Sequence, residues 1–413
     1  AHSCAILGEI PTGEGQRETP SPPVSLVFHC PGRASRGSQI NDKSRESAER
    51  DPPLPAGEAG PDRRGGWRAF GAANGRAFLW CAHLPAPSLQ DCPYIHIESK
   101  ENPEPMAEKL KIIPLGGLNE IGKNMTVYEY GGDMIVVDVG MGFPDDDMYG
   151  IDVVIPDFTY LIKNKEKIRG IFLTHGHEDH IGGLPYLLSR IKLPVYATRL
   201  TAALIESKLK EKNIHADIRV VNAGSVLNFG DVTVEMIHVN HSIAGAVALA
   251  ITCPAGTVVF SGDFKVDYTP IDGQVTDLAG FAELGSKGVL AFLCESTNIE
   301  RKGYTMSETK IGQTFIDMFQ QAKGRVIVAM FASNIHRVQM VVDSAAMFGR
   351  RVCFVGRSMV NVTRVAMSIG ELSIPEENLI DVDDLENYAD EEILVVTTGS
   401  QGEAMAGLTR MAY

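Results

Sequence analysis

The sequence has no uninterrupted apolar run of about 18 residues, the length a bilayer-spanning helix needs, which excludes an integral membrane protein. It also lacks a CxxC pair, and its seven scattered cysteines favour a reducing cytoplasm over a disulfide framework. Residues 1–15 contain no basic start followed by an apolar stretch, so we expect no secretory signal. Positive charge is also scarce: 38 Lys and Arg against 52 Asp and Glu give a net charge of −14, which argues against nonspecific adhesion to nucleic acid.

Tryptophan, proline and cysteine are concentrated in the first quarter of the chain. Residues 1–105 hold both tryptophans, 14 of the 22 prolines and four of the seven cysteines. Stretches such as Pro52–Pro55 show neither the helical nor the strand period. We therefore expect residues 1–105 to be a disordered or non-native extension and Met106 to be the natural start.

From Lys109 onward the sequence is regular and alternates short buried strands with helices. The pattern over residues 106–300 is of the α/β type, with a strand-rich opening that includes Lys111–Leu115. In residues 301–413, predicted helices and strands alternate in the order typical of a parallel sheet covered by helices. The length of 413 residues allows two or three domains, and we place a domain boundary between residues 300 and 301.

The residues best suited to binding a metal lie in Thr174–His180, directly after a predicted strand. His175, His177, Asp179 and His180 put three imidazoles and a carboxylate within six residues. Such a group would be costly to pack unless it binds a metal or is solvated. Imidazoles and carboxylates without thiolates suit zinc, with manganese as the alternative. The sequence therefore predicts a metal site on this loop.

Two downstream runs of strand-like sequence end in further candidate ligands. These candidates are His241 and Asp263, and both are expected at the same end of the sheet as the histidine cluster. His238 is the alternative to His241. For Asp263 the alternative is a turn or helix-capping aspartate.

The order of these motifs, together with Asp138 at the end of an early strand, resembles the metallo-β-lactamase superfamily. Within it, several segments are similar to those of ribonuclease J, a family of β-CASP nucleases. The resemblance covers residues 108–413 and none of residues 1–105. Its segments are Gly116–Asn124, His241–Ile243, Ser261–Lys265, Glu295–Asn298 and Thr397–Glu403.

The resemblance implies an αββα sandwich that binds two zinc ions and carries an inserted β-CASP domain. It implies a ribonuclease with 5′-to-3′ exonuclease and endonuclease activity in RNA processing and decay, acting as a homo-oligomer or with a paralogous partner. Two metals together can activate a water molecule and stabilise both the attacking and the leaving oxygen when a phosphodiester bond is hydrolysed. Six metal ligands are implied: His175, His177 and His241 for one metal, Asp179 and His180 for the other, and Asp263 for both.

Two more carboxylates, Asp138 and Glu295, have expected roles near the metal site. Asp138 is expected to orient a histidine of the cluster, because a metal-bound imidazole needs its other nitrogen held; the alternative is a turn residue. By resemblance, Glu295 lies beside the metals and takes part in proton transfer. Together with Asp179 and Asp263, Glu295 forms the predicted catalytic set.

Three residues are candidates for contact with RNA or phosphate. Arg357 and Ser358 follow a predicted strand, where backbone N–H groups and a guanidinium can meet a phosphate. His336 lies in a segment that resembles one of the family, although a solvated helix start accounts for it equally well.

Histidine is absent after His336, whereas the family places two further histidines beyond Thr397–Glu403. We therefore expect a fragment that ends inside an incomplete β-CASP domain and binds the second metal poorly. Two other functions stay open. One is a glyoxalase II-like thioesterase, which would not need the region from Glu295 onward. The other is a structural or regulatory RNA-binding subunit, which the intact histidine cluster argues against.

Overall fold

The computed structural model describes residues 4–7, 108–145, 147–400 and 406–412. In these residues the strands form two six-stranded sheets and one three-stranded sheet. In chain order the strands are β1 (Cys4–Leu7), β2 (Lys111–Gly116), β3 (Met125–Tyr130), β4 (Asp133–Val137), β5 (Ile168–Phe172), β6 (Pro194–Ala197), β7 (Asp217–Val220), β8 (Val226–Phe229), β9 (Val232–His238), β10 (Val247–Cys253), β11 (Gly256–Phe260), β12 (Ala291–Glu295), β13 (Val326–Ala329), β14 (Arg351–Val355) and β15 (Ile393–Thr397).

Helices cover the outer faces of the sheets. In chain order they are α1 (Thr159–Lys163), α2 (Glu178–Ile181), α3 (Leu184–Leu188), α4 (Arg199–Glu211), α5 (Leu278–Lys287), α6 (Glu308–Gln321), α7 (Ile335–Ala346), α8 (Arg357–Ser368) and α9 (Gly407–Ala412). None of the helices in the described part of the chain combines the length and apolar content needed to cross a bilayer.

The two large sheets pack face to face. One has the strand order β2-β3-β4-β5-β6-β7, and the other has the order β1-β12-β11-β10-β9-β8. Ile135 and Val137 of β4 pack between the sheets with Leu249 of β10, whereas Met134 and Val136 pack on the opposite face with the helices. Successive residues of a strand point to opposite faces, so a strand covered on both sides needs a continuous apolar run. The Met134–Val137 run therefore suits a central strand of an αββα sandwich.

The smaller sheet has the order β13-β15-β14, and its strands are all parallel. This is the helix-covered parallel sheet that the sequence pattern predicts for residues 301–413. Strand β12 ends at Glu295 and α6 begins at Glu308. We keep the limits 106–300 and 301–413 for the two domains as a proposal, and refer to them below as the first and second domains.

The predicted extension of residues 1–105 contains one described element. The backbone of Cys4–Leu7 forms β1, which pairs antiparallel with β12 at the edge of its sheet. An edge strand offers unpaired backbone N–H and C=O groups to such a segment. The prediction of disorder for the rest of residues 1–105 and the predicted start at Met106 fall outside the described residues.

Glu129 provides a test of how polar groups stabilise the first sheet. Its side chain on β3 is buried, accepts hydrogen bonds from Tyr160 Oη at 2.7 Å and Lys167 Nζ at 2.9 Å, and pairs with Lys111 Nζ at 3.4 Å. Burial alone would raise the pKa of this carboxyl, but the hydrogen bonds from Lys167 and Tyr160 and the two lysine charges outweigh it and lower the pKa. A lowered folded pKa means that the ionised carboxylate stabilises the fold above its unfolded pKa.

We expect Glu129→Gln to lower the free energy of unfolding by about 1–2 kcal/mol at pH 7, since both lysines are partly exposed. The difference from the wild type should shrink as the pH falls through the folded pKa, because the wild-type carboxyl is then protonated too. Urea denaturation at a series of pH values measures this difference. Glu166→Gln, the same change at a side chain that is 88% exposed, is the control and should be neutral. Equal stability of Glu129→Gln and wild type at pH 7 would contradict the assignment.

Candidate metal centre

The strand directions bring His241 and Asp263 to one edge of the second large sheet. Strands β9 and β11 are each antiparallel to β10, so they run parallel to each other and end at the same edge. His241 follows the end of β9 by three residues, and Asp263 follows the end of β11 by three residues. Backbone pairing of Asn240 with Lys265 joins the two loops.

In the first large sheet, the parallel strands β4 and β5 end at the same edge and supply the remaining groups. Asp138 directly follows β4 with a φ of 58°, a left-handed conformation that aspartate tolerates better than most residues. Its backbone N–H donates to the Phe172 carbonyl. The chain after β5 passes through His175 and then starts α2, with His177 at the residue that precedes the helix.

The turn that carries Asp179 and His180 packs closely against the loop after Asp138. Val139 N–H donates to the His180 carbonyl, and Asn124 N–H donates to the Asp179 carbonyl. A Cβ atom at Gly140 would overlap the Asp179 carbonyl, so glycine is required at this close approach. The backbone therefore holds the turn in place on both sides.

Four side chains form the first candidate ligand set: His175, His177, His241 and Asp263. His177 Nδ1 lies 3.0 Å from His175 Nε2 and 3.1 Å from His241 Nε2. Asp263 Oδ2 lies 3.8 Å from His175 Nε2 and 3.7 Å from His241 Nε2. Tetrahedral zinc with bonds of about 2.0–2.1 Å requires ligand atoms roughly 3.3 Å apart. The donor types and their spacing therefore fit one zinc-like ion.

Asp179, His180 and Asp263 form the second candidate set. His180 Nε2 lies 3.4 Å from Asp263 Oδ1 and 3.6 Å from Asp179 Oδ2. Asp263 thus directs one carboxylate oxygen to each set. Three protein ligands leave room for water or substrate, as a catalytic rather than a structural metal site requires.

The electrostatics of the buried histidines and their carboxylate neighbours favour a bound cation. His175 is fully buried, and burial together with the neighbouring imidazoles holds its pKa well below the ordinary value. A neutral imidazole is the form that binds metal. Burial alone would lower the pKa of His180, but the carboxylates of Asp263 and Asp138 raise it well above the ordinary value. Positive charge is therefore favoured between these two carboxylates.

Asp138 and Thr174 hold the outer nitrogens of two of these histidines. Asp138 Oδ2 lies 2.7 Å from His180 Nδ1 and accepts a hydrogen bond from Thr174 Oγ1 at 2.8 Å. Asp138 Oδ1 accepts from the Thr174 backbone N–H at 2.8 Å. Thr174 Oγ1 in turn lies 3.0 Å from His175 Nδ1. This arrangement leaves both Nε2 atoms directed into the ligand sets.

Two residues with no role in the sequence prediction also contact the cluster. The Asn124 side chain lies 3.1 Å from His180 Nε2 and donates to the Asp179 carbonyl at 3.1 Å. Ser333 Oγ lies 3.0 Å from His177 Nε2 and belongs to the second domain. Asn124 ends one of the segments that resemble ribonuclease J, and this resemblance is the signal that could have identified it. Ser333 lies in Phe331–Arg337, the segment around His336 that also resembles one of the family, but no local pattern marks its hydroxyl.

The remaining predicted residues lie around or away from the cluster. Glu295 Oε1 accepts from Phe264 N–H at 3.4 Å, so this carboxylate supports the loop that carries Asp263. The His238 ring contacts the Gln274 carbonyl at 3.2 Å and is not part of either ligand set. His336 lines a cavity together with His241. Two side chains are exposed at the start of α8, namely Arg357 and Ser358.

Comparison with known protein families agrees with this architecture. Residues 118–284 match the metallo-β-lactamase superfamily, and residues 323–413 match the β-CASP domain of ribonuclease J. The fold is also similar to a crystal structure of a protein of unknown function from Enterococcus faecalis V583, with a TM-score of 0.53 at 17% identity over 71% of this chain and 78% of that one. The chain therefore has a metallo-β-lactamase domain followed by a β-CASP domain.

Curated relatives narrow the assignment. The chain is 44% identical to ribonuclease J of Helicobacter pylori (strain ATCC 700392 / 26695), over 73% of this chain and 44% of that protein. It is 45% identical to ribonuclease J of Synechocystis over 74% and 48%, and 43% identical to ribonuclease J2 of Bacillus subtilis over 74% and 55%. The chain spans about half the length of these relatives. Over its matched residues the chain is therefore similar to proteins named ribonuclease J, and its second domain matches the ribonuclease J β-CASP model.

Proposed function

We propose that this chain carries the metal centre of a ribonuclease that hydrolyses RNA phosphodiester bonds. The proposal rests on the two ligand sets, which share Asp263. One carboxylate oxygen of Asp263 faces each set. Two adjacent cations would lower the pKa of a water molecule and offset the charge of attacking and leaving oxygens. Similarity to these relatives supports RNA as the polymer, since they are named ribonucleases.

Each side chain has a separate task in this proposal. His175, His177 and His241 hold one metal and Asp179 and His180 hold the other, with Asp263 between them; zinc fits these donors, and manganese is the alternative. Asp138 and Thr174 keep the histidine rings in the orientation for binding. Glu295 positions the Asp263 loop and stays the candidate for proton transfer.

The wider biological role is also part of the proposal. It includes 5′-to-3′ exonuclease and endonuclease activity in RNA processing and decay, with His336, Arg357 and Ser358 as candidate contacts to RNA. Association with a second copy or a paralogue rests on the family resemblance. Three cysteines whose side chains the structure describes, Cys253, Cys294 and Cys353, are free thiols, which supports a reducing compartment such as the cytoplasm.

The test is hydrolysis of a 5′-monophosphorylated RNA by this chain and by a version extended to the length of its relatives. We expect hydrolysis to stop on chelation, to return with Zn²⁺ or Mn²⁺, and to be lost in His177→Ala. His215→Ala, the same change at an exposed histidine, is the control and should keep the wild-type rate. Undiminished hydrolysis in His177→Ala or after metal removal would refute the proposal. Hydrolysis of a thioester but not of RNA would support a glyoxalase II-like activity instead.

A further inference from the structure

We infer that Ser333 is a positioning residue for His177, so that docking of the second domain is required for tight binding at the first ligand set. This inference rests on the proposed metal centre but concerns metal affinity, which is measured without RNA. It assigns the second domain a part in building the metal site itself, in addition to any contact with substrate.

The two nitrogens of His177 face in different directions. Nδ1 points to the first ligand set, at 3.0 Å from His175 Nε2 and 3.1 Å from His241 Nε2. Nε2 lies 3.0 Å from Ser333 Oγ. With Nδ1 as the metal-binding atom, Nε2 carries the proton and donates it to the serine hydroxyl. Ser333 therefore stabilises the tautomer and the ring orientation that binding requires.

His177 differs from the neighbouring histidines because the residue that contacts its outer nitrogen belongs to the second domain. His180 is held by Asp138, and His175 is held by Thr174, which both belong to the first domain. The partner of His177 lies 156 residues further along the chain, just before α7. The orientation of His177 therefore depends on how the second domain is seated.

Charged contacts between the domains hold the start of α7 in place. Arg337, in the first turn of α7, binds the Glu308 carboxylate with Nη2 at 2.8 and 2.9 Å and Nε at 3.1 Å. The same carboxylate accepts from Lys265 Nζ of the first domain at 2.9 Å, and Asp267 accepts from the Glu308 backbone N–H. The Glu308 side chain is 13% exposed, so the lysine and arginine contacts are poorly screened by solvent.

These contacts form a continuous connection from the Asp263 loop to His177. Lys265 lies two residues after Asp263 and contacts Glu308, Glu308 binds Arg337, and the residues leading into α7 present Ser333 to the histidine. If docking favours metal binding, metal binding must favour docking by the same factor. The metal-bound and metal-free chains should therefore differ in how firmly the second domain is held.

The experiment measures Zn²⁺ affinity of the metal-free chain in competition with a chromophoric chelator. We expect Ser333→Ala to bind the ion of the first set about tenfold more weakly, the lower end of the range for groups that hold a metal ligand. Ser333→Thr keeps the hydroxyl and should restore most of the affinity. Ser368→Ala is the matched control, because this exposed serine of α8 bonds its own helix backbone. Affinity of Ser333→Ala within twofold of the wild type would overturn the inference.

A second arm tests the role of docking. Glu308→Gln removes the charge that joins Lys265 to Arg337, and we expect it to weaken Zn²⁺ binding in the wild-type background but not further in Ser333→Ala. Full additivity of the two changes would contradict coupling through Ser333. A single cooperative urea transition in each metal-free variant shows that the variant still folds. Failure of RNA hydrolysis in the wild type would refute the proposed function and leave this inference standing.

Discussion

Replacement of Asp263 by asparagine is expected to lower RNA hydrolysis by the metal-loaded protein about a thousandfold. Asp263 Oδ2 lies 3.7 Å from His241 Nε2, and Oδ1 lies 3.4 Å from His180 Nε2. An amide keeps one acceptor oxygen and replaces the other with a donor, so asparagine cannot serve both ligand sets. Metal ions supply several kcal/mol of transition-state stabilisation, and each 1.4 kcal/mol corresponds to about tenfold in rate.

This result is measured as the initial rate of RNA hydrolysis together with the metal content of the purified variant. Asp263→Asn should retain less than the wild-type amount of metal, because one ligand of each set is altered. Asp231→Asn makes the same chemical change at an exposed position and should match the wild type in both measurements. A variant Asp263→Asn with the full metal content and the full rate would show that the shared carboxylate has no part in hydrolysis.

Most of the architecture could be predicted because buried strands need apolar residues, and these appear in the sequence as short apolar runs between turns. The strand-like runs of sequence at Arg351–Val355 and Ile393–Thr397 have the same bounds as β14 and β15. The metallo-β-lactamase and β-CASP fold that the motifs imply is confirmed by the family matches. Apolar runs between turns therefore carry most of the information about this fold.

The sequence pattern was least informative about which faces of a strand are buried. Asn124–Tyr130 alternates in polarity, which suggests one buried face, yet every residue of β3 is buried because polar Glu129 is paired with lysines and a tyrosine. The first five residues of β10, 247–251, are a continuous apolar run, and such a run does not by itself distinguish strand from helix. Burial on both sides of a strand depends on the other layers, which no local pattern reports.

The site could be predicted to different depths for different residues. His175, His177, Asp179 and His180 are neighbours in sequence, and so many imidazoles and carboxylates on one loop are costly to bury without a metal. The structure therefore brings together a group that the sequence already singles out. Ser333 could not be found in this way. A single hydroxyl has no spacing pattern, and its contact with His177 exists through the packing of two domains.

A second large effect is expected from Asp138→Asn, which should weaken metal binding at the second ligand set about a hundredfold. Asp138 accepts from the Thr174 backbone N–H through Oδ1 and contacts His180 Nδ1 and Thr174 Oγ1 through Oδ2. An asparagine must direct its NH₂ group at one of these partners. If it faces His180 Nδ1, the proton moves to Nε2, the nitrogen that binds the metal.

Asp138→Asn should have a larger effect than loss of Ser333, because a charge-assisted hydrogen bond is roughly twice as strong as a neutral one. Zn²⁺ titration of the metal-free chain measures the effect at both sets, with Asp152→Asn at an exposed carboxylate as the control. Thr174→Val separates the two arms of the network, since it removes the hydroxyl beside His175 and leaves the contact between Asp138 and His180. We expect Thr174→Val to weaken the first set more than the second, and Asp138→Asn to do the reverse. Equal loss at both sets in both variants would mean that Asp138 acts through general stability and not through the orientation of His180.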